Sequence, residues 1–241
     1  MRASKYAGKD AYRGAIALNY ERDRVGEAVW GAEQEFVARW IETLPAASSI
    51  LDIPTGTGRF IHLFVHRNLR VRAMDISEDM LAEVRKSHSD SENLTIECGD
   101  AERLLLGDDA VDYVISWRLF HLVPLEVIRR VLSEFRRVCR GTVVVQVFGV
   151  DCTKTSRSFL IKIEERVRFW LCGFLKRNRS KTNTPWAHIS TFCHREEQLL
   201  DAFGQAGFSV QETHELEVAE GAPAKVYFLV RGTKSSGENT I

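Results

Sequence analysis

No stretch of 18 consecutive apolar residues occurs in this 241-residue sequence, so no segment has transmembrane-helix length. Met1 to Tyr20 is polar, broken by Gly8 and Gly14, and carries no apolar run of signal-peptide length. A cytoplasmic location is the expectation. The five cysteines (Cys98, Cys139, Cys152, Cys172, Cys193) form no CxxC pair, and their odd number argues against a full disulfide framework. Reduced thiols and no metal site are expected. Net charge is also missing: 33 lysines and arginines balance 33 aspartates and glutamates, so the total names no partner. Finally, no Gly-x-x-x-x-Gly-Lys-[Ser/Thr] sequence occurs, which excludes a P-loop.

What is present is an ordinary globular composition, 44% apolar and 27% charged, enough for a sizeable core. Short β-branched runs alternate with helical patterns, the mark of βαβ units around a parallel sheet. Phe36, Val37, Trp40 and Ile41 recur at helical spacing between Gly31 and Thr43, and Pro45 stops them. Strands are expected at 49–53, 69–74, 94–98, 111–117 and 142–148. Helices are expected at 58–67, after Ser77 as N-cap, and after Pro124. The strand at 142–148 is nearly all apolar, as a central strand buried on both faces should be. A helix at 194–205 and strands at 208–216 and 225–231 follow, the two strands close enough to pair antiparallel across Gly221-Ala222-Pro223.

The chemistry concentrates in Ile50-Leu51-Asp52-Ile53-Pro54-Thr55-Gly56-Thr57-Gly58-Arg59-Phe60. A strand delivers a carboxylate, and two glycines then let the backbone approach a ligand before a helix begins. A glycine pair alone also suits any tight strand-to-helix turn. Asp75 adds weight: it stands 17 residues after Gly58, at the end of the second strand, where a carboxylate can accept bonds from ribose hydroxyls. Asp100 follows the third strand. Three carboxylates thus fall at the C-terminal ends of successive strands, where open α/β sheets bind ligands. A dinucleotide fingerprint wants a third glycine for pyrophosphate binding, and its place holds bulky Ile61.

These segments together resemble the class I S-adenosylmethionine-dependent methyltransferases of the broad small-molecule type, over about Ser48 to Phe148. Leu51 to Phe60 looks like their first motif and Met74-Asp75-Ile76-Ser77-Glu78-Asp79-Met80-Leu81 like their second strand and helix. Gly99-Asp100-Ala101-Glu102 and Asp112-Tyr113-Val114-Ile115-Ser116 are similar to the next two motifs. Pro54 departs from the pattern, standing where many members have glycine. The resemblance implies a Rossmann-like, doubly wound, seven-stranded, mostly parallel α/β sheet with an antiparallel C-terminal strand. It also implies S-adenosylmethionine as cofactor. Gly56 and Gly58, with Pro54, would border the methionine moiety and Asp52 would sit near its ammonium. Asp75 would hold the ribose, Ile76 and Met80 the adenine ring, and Asp100 and Ala101 the adenine edge, with Ser116 close by. Tyr12, Tyr20 and Arg24 fall in an N-terminal region that often closes over the cofactor, with Arg24 either a carboxylate clamp or a solvated arginine.

Facing the transferred methyl would be Trp117, Arg118 and His121, the first two toward substrate and His121 as either a base or a packing residue. His188 and His194 read as surface or capping residues. No Asn-Pro-Pro-Tyr-like or Pro-Cys sequence occurs, which argues against DNA bases as acceptors. One domain is expected, with an N-terminal helical cap (1–47), a cofactor-binding core (48–150), a helical insertion or lid (151–193), a helix and strand pair (194–232) and a tail (233–241). Nine lysines and arginines against Glu164 and Glu165 make 154–181 basic and amphipathic. A lid is favoured there over a membrane-surface or RNA-binding segment, which would imply lipid, quinone or tRNA acceptors. The expected function is methyl transfer to O, N or C of a small molecule. Its alternatives are a non-catalytic adenosyl-ligand binding module and, further off, an NAD(P) oxidoreductase.

Overall fold

The computed structural model describes residues 12–24, 28–88, 91–150, 191–216 and 224–232. In chain order its elements are α1 (Ala15–Arg24), α2 (Ala28–Glu42), β1 (Ser49–Asp52), α3 (Ile61–His66), β2 (Arg70–Asp75), α4 (Glu78–His88) and β3 (Leu94–Cys98). There follow β4 (Val111–Ser116), a 3₁₀ turn (Phe120–Leu122), α5 (Leu125–Val138), β5 (Cys139–Phe148), α6 (Glu196–Gln205), β6 (Phe208–Leu216) and β7 (Ala224–Arg231).

The seven strands form one sheet in the order β3-β2-β1-β4-β5-β7-β6. β7 runs antiparallel to both β5 and β6, and the β1–β5 pairings are parallel. The fold expectation holds, antiparallel last strand included. The chain winds outward from β1 to β3, then crosses back to β4, so the switch of direction lies between β1 and β4. Open α/β sheets bind ligands at that point.

Two cores sandwich the sheet. Val127, Ile128, Val131, Leu132, Phe135 and Val138 of α5 are all buried, on the side where Val143, Val145 and Val147 of β5 point. Each such side chain stabilises the fold by roughly 1.5–3 kcal/mol. On the other face Val37, Ile41 and Leu44 of α2 and its loop meet Phe64, Ile115, Val144 and Val226. β5 is therefore central and covered twice, as its composition requires.

Three boundaries differ from the sequence expectation by two residues or more, each for a local reason. α3 starts at Ile61 rather than Gly58, because Gly56 and Gly58 both have positive φ (58° and 85°) and the chain is still turning there. β5 begins at Cys139, with no loop after α5; a Cβ on Gly141 would lie 2.4 Å from the Asp112 carbonyl, so only glycine lets β5 approach β4 this closely. α6 begins at Glu196, because His194 belongs to the core. His194 is 5% exposed and its Nε2 is 3.0 and 3.1 Å from the carbonyls of Phe120 and Val123, which corrects the surface reading. At α4 the expected cap is present: Ser77 Oγ accepts the Met80 N–H at 3.4 Å.

The proposed insertion falls almost wholly on 151–190, outside the described residues, as do His188 and the 221–223 turn. Among the described residues no helix is long and apolar enough to cross a membrane, and no cluster of three His, Cys, Asp or Glu side chains is placed to hold a metal.

Candidate functional site

At the switch point the ends of β1, β2 and β4 open into a crevice. Asp52, Pro54, Thr55, Gly56, Thr57, Arg59 and Phe60 line it from the turn after β1. Asp75, Ile76 and Met80 line it after β2, and Trp117, Arg118, Leu119 and Leu122 after β4. Tyr20 and Trp30 of the N-terminal helices, with Tyr12 just before them, also line it.

The geometry around Asp75 is local and tight. Its Oδ2 accepts the Gly56 N–H at 2.9 Å and its Oδ1 the Ser77 N–H at 2.8 Å. The Ile76 N–H also bonds this carboxylate, and since an ionised carboxylate offers about four acceptor positions, capacity remains for a ligand. Burial raises its pKa from the ordinary carboxylate value, and the Ser77 and Gly56 N–H groups act against that rise. Asp52, 1% exposed, accepts the Thr55 hydroxyl at 2.8 Å. Its carboxyl is pushed up to about 7, chiefly by burial; the Thr55 bond opposes this and the nearby Asp75 charge adds to it. A buried carboxyl poised near neutrality ionises readily when a cation arrives.

The two glycines divide their work. The position a Cβ would take on Gly56 meets nothing within 4 Å, so this backbone borders open space. On Gly58 a Cβ would sit 3.0 Å from Ile61 Cδ1 and 3.1 Å from Val84 Cγ2. Gly58 is not among the residues lining the crevice, and its missing side chain makes room for Ile61 of α3 and Val84 of α4. Ile61, fully buried, fills the space that a third glycine would leave for a pyrophosphate. The Ile53–Pro54 peptide is cis.

Other expected residues are displaced from the crevice. Asp100 lies two residues beyond the Asp75–Cys98 pairing, one strand over, and its Oδ1 accepts the Glu102 N–H at 3.0 Å. Neither it nor the adjoining Ala101 is among the lining residues. Ser116 is fully buried behind the wall. His121 is set back too: its ring stands edge-on to Phe148 at 5.1 Å, and burial, then Arg118, lowers its pKa to about 3. The imidazole is neutral, and it does not line the crevice that was expected to present it to a methyl group. Arg24 lies over the Tyr20 ring at 4.9 Å and is likewise no part of the lining.

A cluster that the sequence reading missed stands behind the crevice. Glu33 of α2 is fully buried and accepts bonds from Arg59 Nη1 (2.5 Å), Arg118 Nη2 (2.8 Å) and Gln146 Nε2 (2.7 Å). The Arg118 N–H in turn donates to Gln146 Oε1 at 3.1 Å, and Arg118 holds a positive φ of 57°. Arg118, expected as a substrate anchor, therefore has Nε and Nη2 committed to Glu33. The Arg59 guanidinium stacks on Trp30 with its carbon 3.5 Å from the ring centroid. One signal for this cluster exists in the sequence: Glu33 occupies the buried stripe of α2 in step with Val37, Ile41 and Leu44, where a charge has no place without partners.

α1 is fastened over the crevice. The Gly14 N–H donates to Asp79 Oδ2 (2.7 Å), Thr57 Oγ1 to Glu21 Oε1 (3.0 Å), and Ser77 Oγ to the Tyr12 carbonyl. Tyr12 and Tyr20 meet edge to face at 6.0 Å, and burial raises the Tyr12 pKa so that its hydroxyl stays protonated.

These residues suit a nucleoside joined to an amino acid. A carboxylate with spare acceptor sites faces the crevice, a cradle at Gly56 would be filled by a Cβ, and Trp117 Nε1 is buried with no hydrogen-bond partner among the described residues.

Residues 50–142 match the family described as "Methyltransferase domain". Over 109 residues the chain is 34% identical to the malonyl-[acyl-carrier protein] O-methyltransferase of Methylococcus capsulatus, a match covering 44% of this chain and 39% of that protein. A bifunctional biotin-biosynthesis protein of Cellvibrio japonicus is 33% identical over 93 residues, 37% of this chain and 18% of that one. The chain thus spans less than two-fifths of these curated relatives. In fold it is similar to the Synechocystis magnesium protoporphyrin IX methyltransferase with bound S-adenosylhomocysteine (TM-score 0.65, 18% identity, 92% of this chain and 97% of that one). It is also similar to phosphoethanolamine N-methyltransferase 2 of Haemonchus contortus (TM-score 0.68, 14% identity, 95% and 61%). Over residues 50–142 the chain is thus similar to the methyltransferase-domain family, and its strand order and fold are similar to those of these two methyltransferases.

Proposed function

We propose that the protein transfers a methyl group from S-adenosylmethionine to a small-molecule acceptor. The observation that carries this reading is the placement of Asp75, a carboxylate in the crevice wall beside the open Gly56 turn, held by backbone N–H groups and with acceptor capacity left for a ligand. Asp75 would hold the ribose hydroxyls and Asp52 the ammonium group. Pro54 and Gly56 would border the methionine chain, and Ile76 and Met80 would pack on the adenine. Asp100 and Ala101, one strand further, would meet the adenine edge once the ligand extends past Ile76.

The cofactor supplies a methyl group on a sulfonium, already activated for attack. The chain's task is to align an acceptor in line behind that group and to keep water out. Leu119, Leu122, Trp117 and the tyrosines of the N-terminal segment give the crevice an apolar, covered interior for this. No base is assigned, since the neutral His121 is set back from the lining. The relatives differ in the atom methylated, oxygen in one and nitrogen in another.

Calorimetric titration with adenosylhomocysteine, alongside incubation of labelled adenosylmethionine with a cell extract, tests the proposal. Micromolar binding with a labelled product is expected. Binding without product favours a non-catalytic adenosyl-ligand module, and tighter binding of NADH than of adenosylhomocysteine sinks the reading.

A further inference from the structure

A cofactor with a zwitterionic amino-acid end needs two seats a few ångströms apart, because ammonium and carboxylate share one carbon. Asp52 answers the ammonium. Among the described residues lining the crevice, the cationic ones are Arg59 and Arg118. Arg24, the sequence's candidate for the carboxylate, stacks on the lining residue Tyr20 but is not itself among the lining residues. Arg59 directly follows the turn that borders the methionine chain. Its guanidinium has five N–H donors in a rigid fork. Three point to protein acceptors: Nη1 to Glu33, Nε to Gln34 Oε1 at 3.2 Å, and Nη2 to the Trp30 carbonyl. Two remain. The same lining includes Trp117, whose buried, unpartnered Nε1–H can only donate and so asks for an acceptor.

We propose that Arg59 and the Trp117 indole N–H form the seat for the carboxylate of the cofactor's amino-acid end, with Glu33 as the positioning residue that fixes Arg59. This rests on the cofactor reading above. Glu33 is an expensive residue to bury for stability alone, since ion clusters in a protein interior often contribute little net. Its burial has a use if it holds a guanidinium flat on Trp30, in place before the ligand arrives. A fixed fork loses little side-chain entropy on binding.

The test compares two ligands by calorimetry: adenosylhomocysteine, and 5′-methylthioadenosine, which has the same nucleoside but no amino acid. In Arg59→Gln the first ligand should weaken about 30-fold, as a charge-assisted bond is lost, while the second stays within about twofold. Trp117→Phe should cost adenosylhomocysteine about fivefold and methylthioadenosine nothing. Glu33→Gln should lie between, again selectively; methylthioadenosine binding reports that each variant is folded, and if Glu33→Gln fails that control the other two variants decide. Equal weakening of both ligands, or of neither, overturns the carboxylate seat. Failure of the unaltered protein to bind either ligand overturns the cofactor reading itself, a distinct outcome.

Discussion

The nucleoside end of the crevice and its amino-acid end are built at different distances along the chain. Asp75, Ile76, Ser77 and Met80 fall within six residues of one another, and the bonds that hold Asp75 come from the Ser77 and Gly56 N–H groups. The Glu33 cluster joins α2, the turn after β1, the segment after β4 and the C-terminal part of β5; its longest bond, Gln146 to Glu33, spans 113 residues. The first arrangement forms wherever a strand ends in aspartate and a capped helix follows. The second exists only once α2 has docked on the sheet. The nucleoside end should therefore tolerate loosening of α2, while the amino-acid end should not.

The largest expected effect breaks the boundary between the two ends. Gly56 sits between Asp75 and the turn, has φ of 58° and faces open space. Gly56→Val places a branched side chain both in the ligand's path and in a left-handed backbone conformation, which costs roughly 1–2 kcal/mol. Adenosylhomocysteine and methylthioadenosine binding should both be lost by calorimetry, with a melting temperature lowered by only several degrees. Retained affinity for either ligand would remove Gly56 from the crevice. Asp75→Ala comes next. It should weaken both ligands by about 1.5–3 kcal/mol, the worth of hydrogen bonds to a charged acceptor. An effect on adenosylhomocysteine alone would show the two ends wrongly divided.

Asp52 sharpens the comparison through pH. In the free protein its carboxyl holds a proton up to about pH 7, whereas in the unfolded chain it ionises near the ordinary 3.8. The folded state thus binds more protons across that window, and Asp52 makes the free protein less stable as pH rises from about 4 to 7. An ammonium ligand favours the ionised form. Adenosylhomocysteine binding should release a proton and strengthen toward tenfold per pH unit between about 5 and 7. Methylthioadenosine has no ammonium, so its affinity should stay flat, and Asp52→Asn should flatten both. A pH slope shared by the two ligands would place the ammonium elsewhere.

The same contrast explains how much could be read from the sequence. Strand order, the antiparallel ending and the residues around Asp52, Gly56 and Asp75 follow from short-range signals: alternating apolar runs, a glycine turn, an acid closing a strand. Gly58 was assigned to the ligand because spacing reports that a side chain is absent, not which neighbour requires the absence; Ile61 and Val84 decide that in three dimensions. Arg118 reads as a residue facing substrate because the carboxylate it pairs with, Glu33, lies 85 residues away. Glu33, in phase with the buried stripe of Val37, Ile41 and Leu44, carried a signal that the sequence reading did not use, because a charge on a buried stripe names no partner until the fold supplies Arg59, Arg118 and Gln146.

The smallest expected effect belongs to His121, which lies at neither end. Its Nδ1 is buried without a hydrogen-bond partner among the described residues, and the ring stays neutral until about pH 3. A buried polar atom left unsatisfied costs about 1–3 kcal/mol, and replacing it with an apolar group of similar shape removes that penalty. His121→Phe, beside Phe148, should therefore leave the melting temperature unchanged or slightly raised, with both ligands within about twofold of the unaltered protein. A tenfold fall in adenosylhomocysteine affinity would instead put the imidazole in the cofactor's path, and the neutral ring would have to be drawn as part of the site.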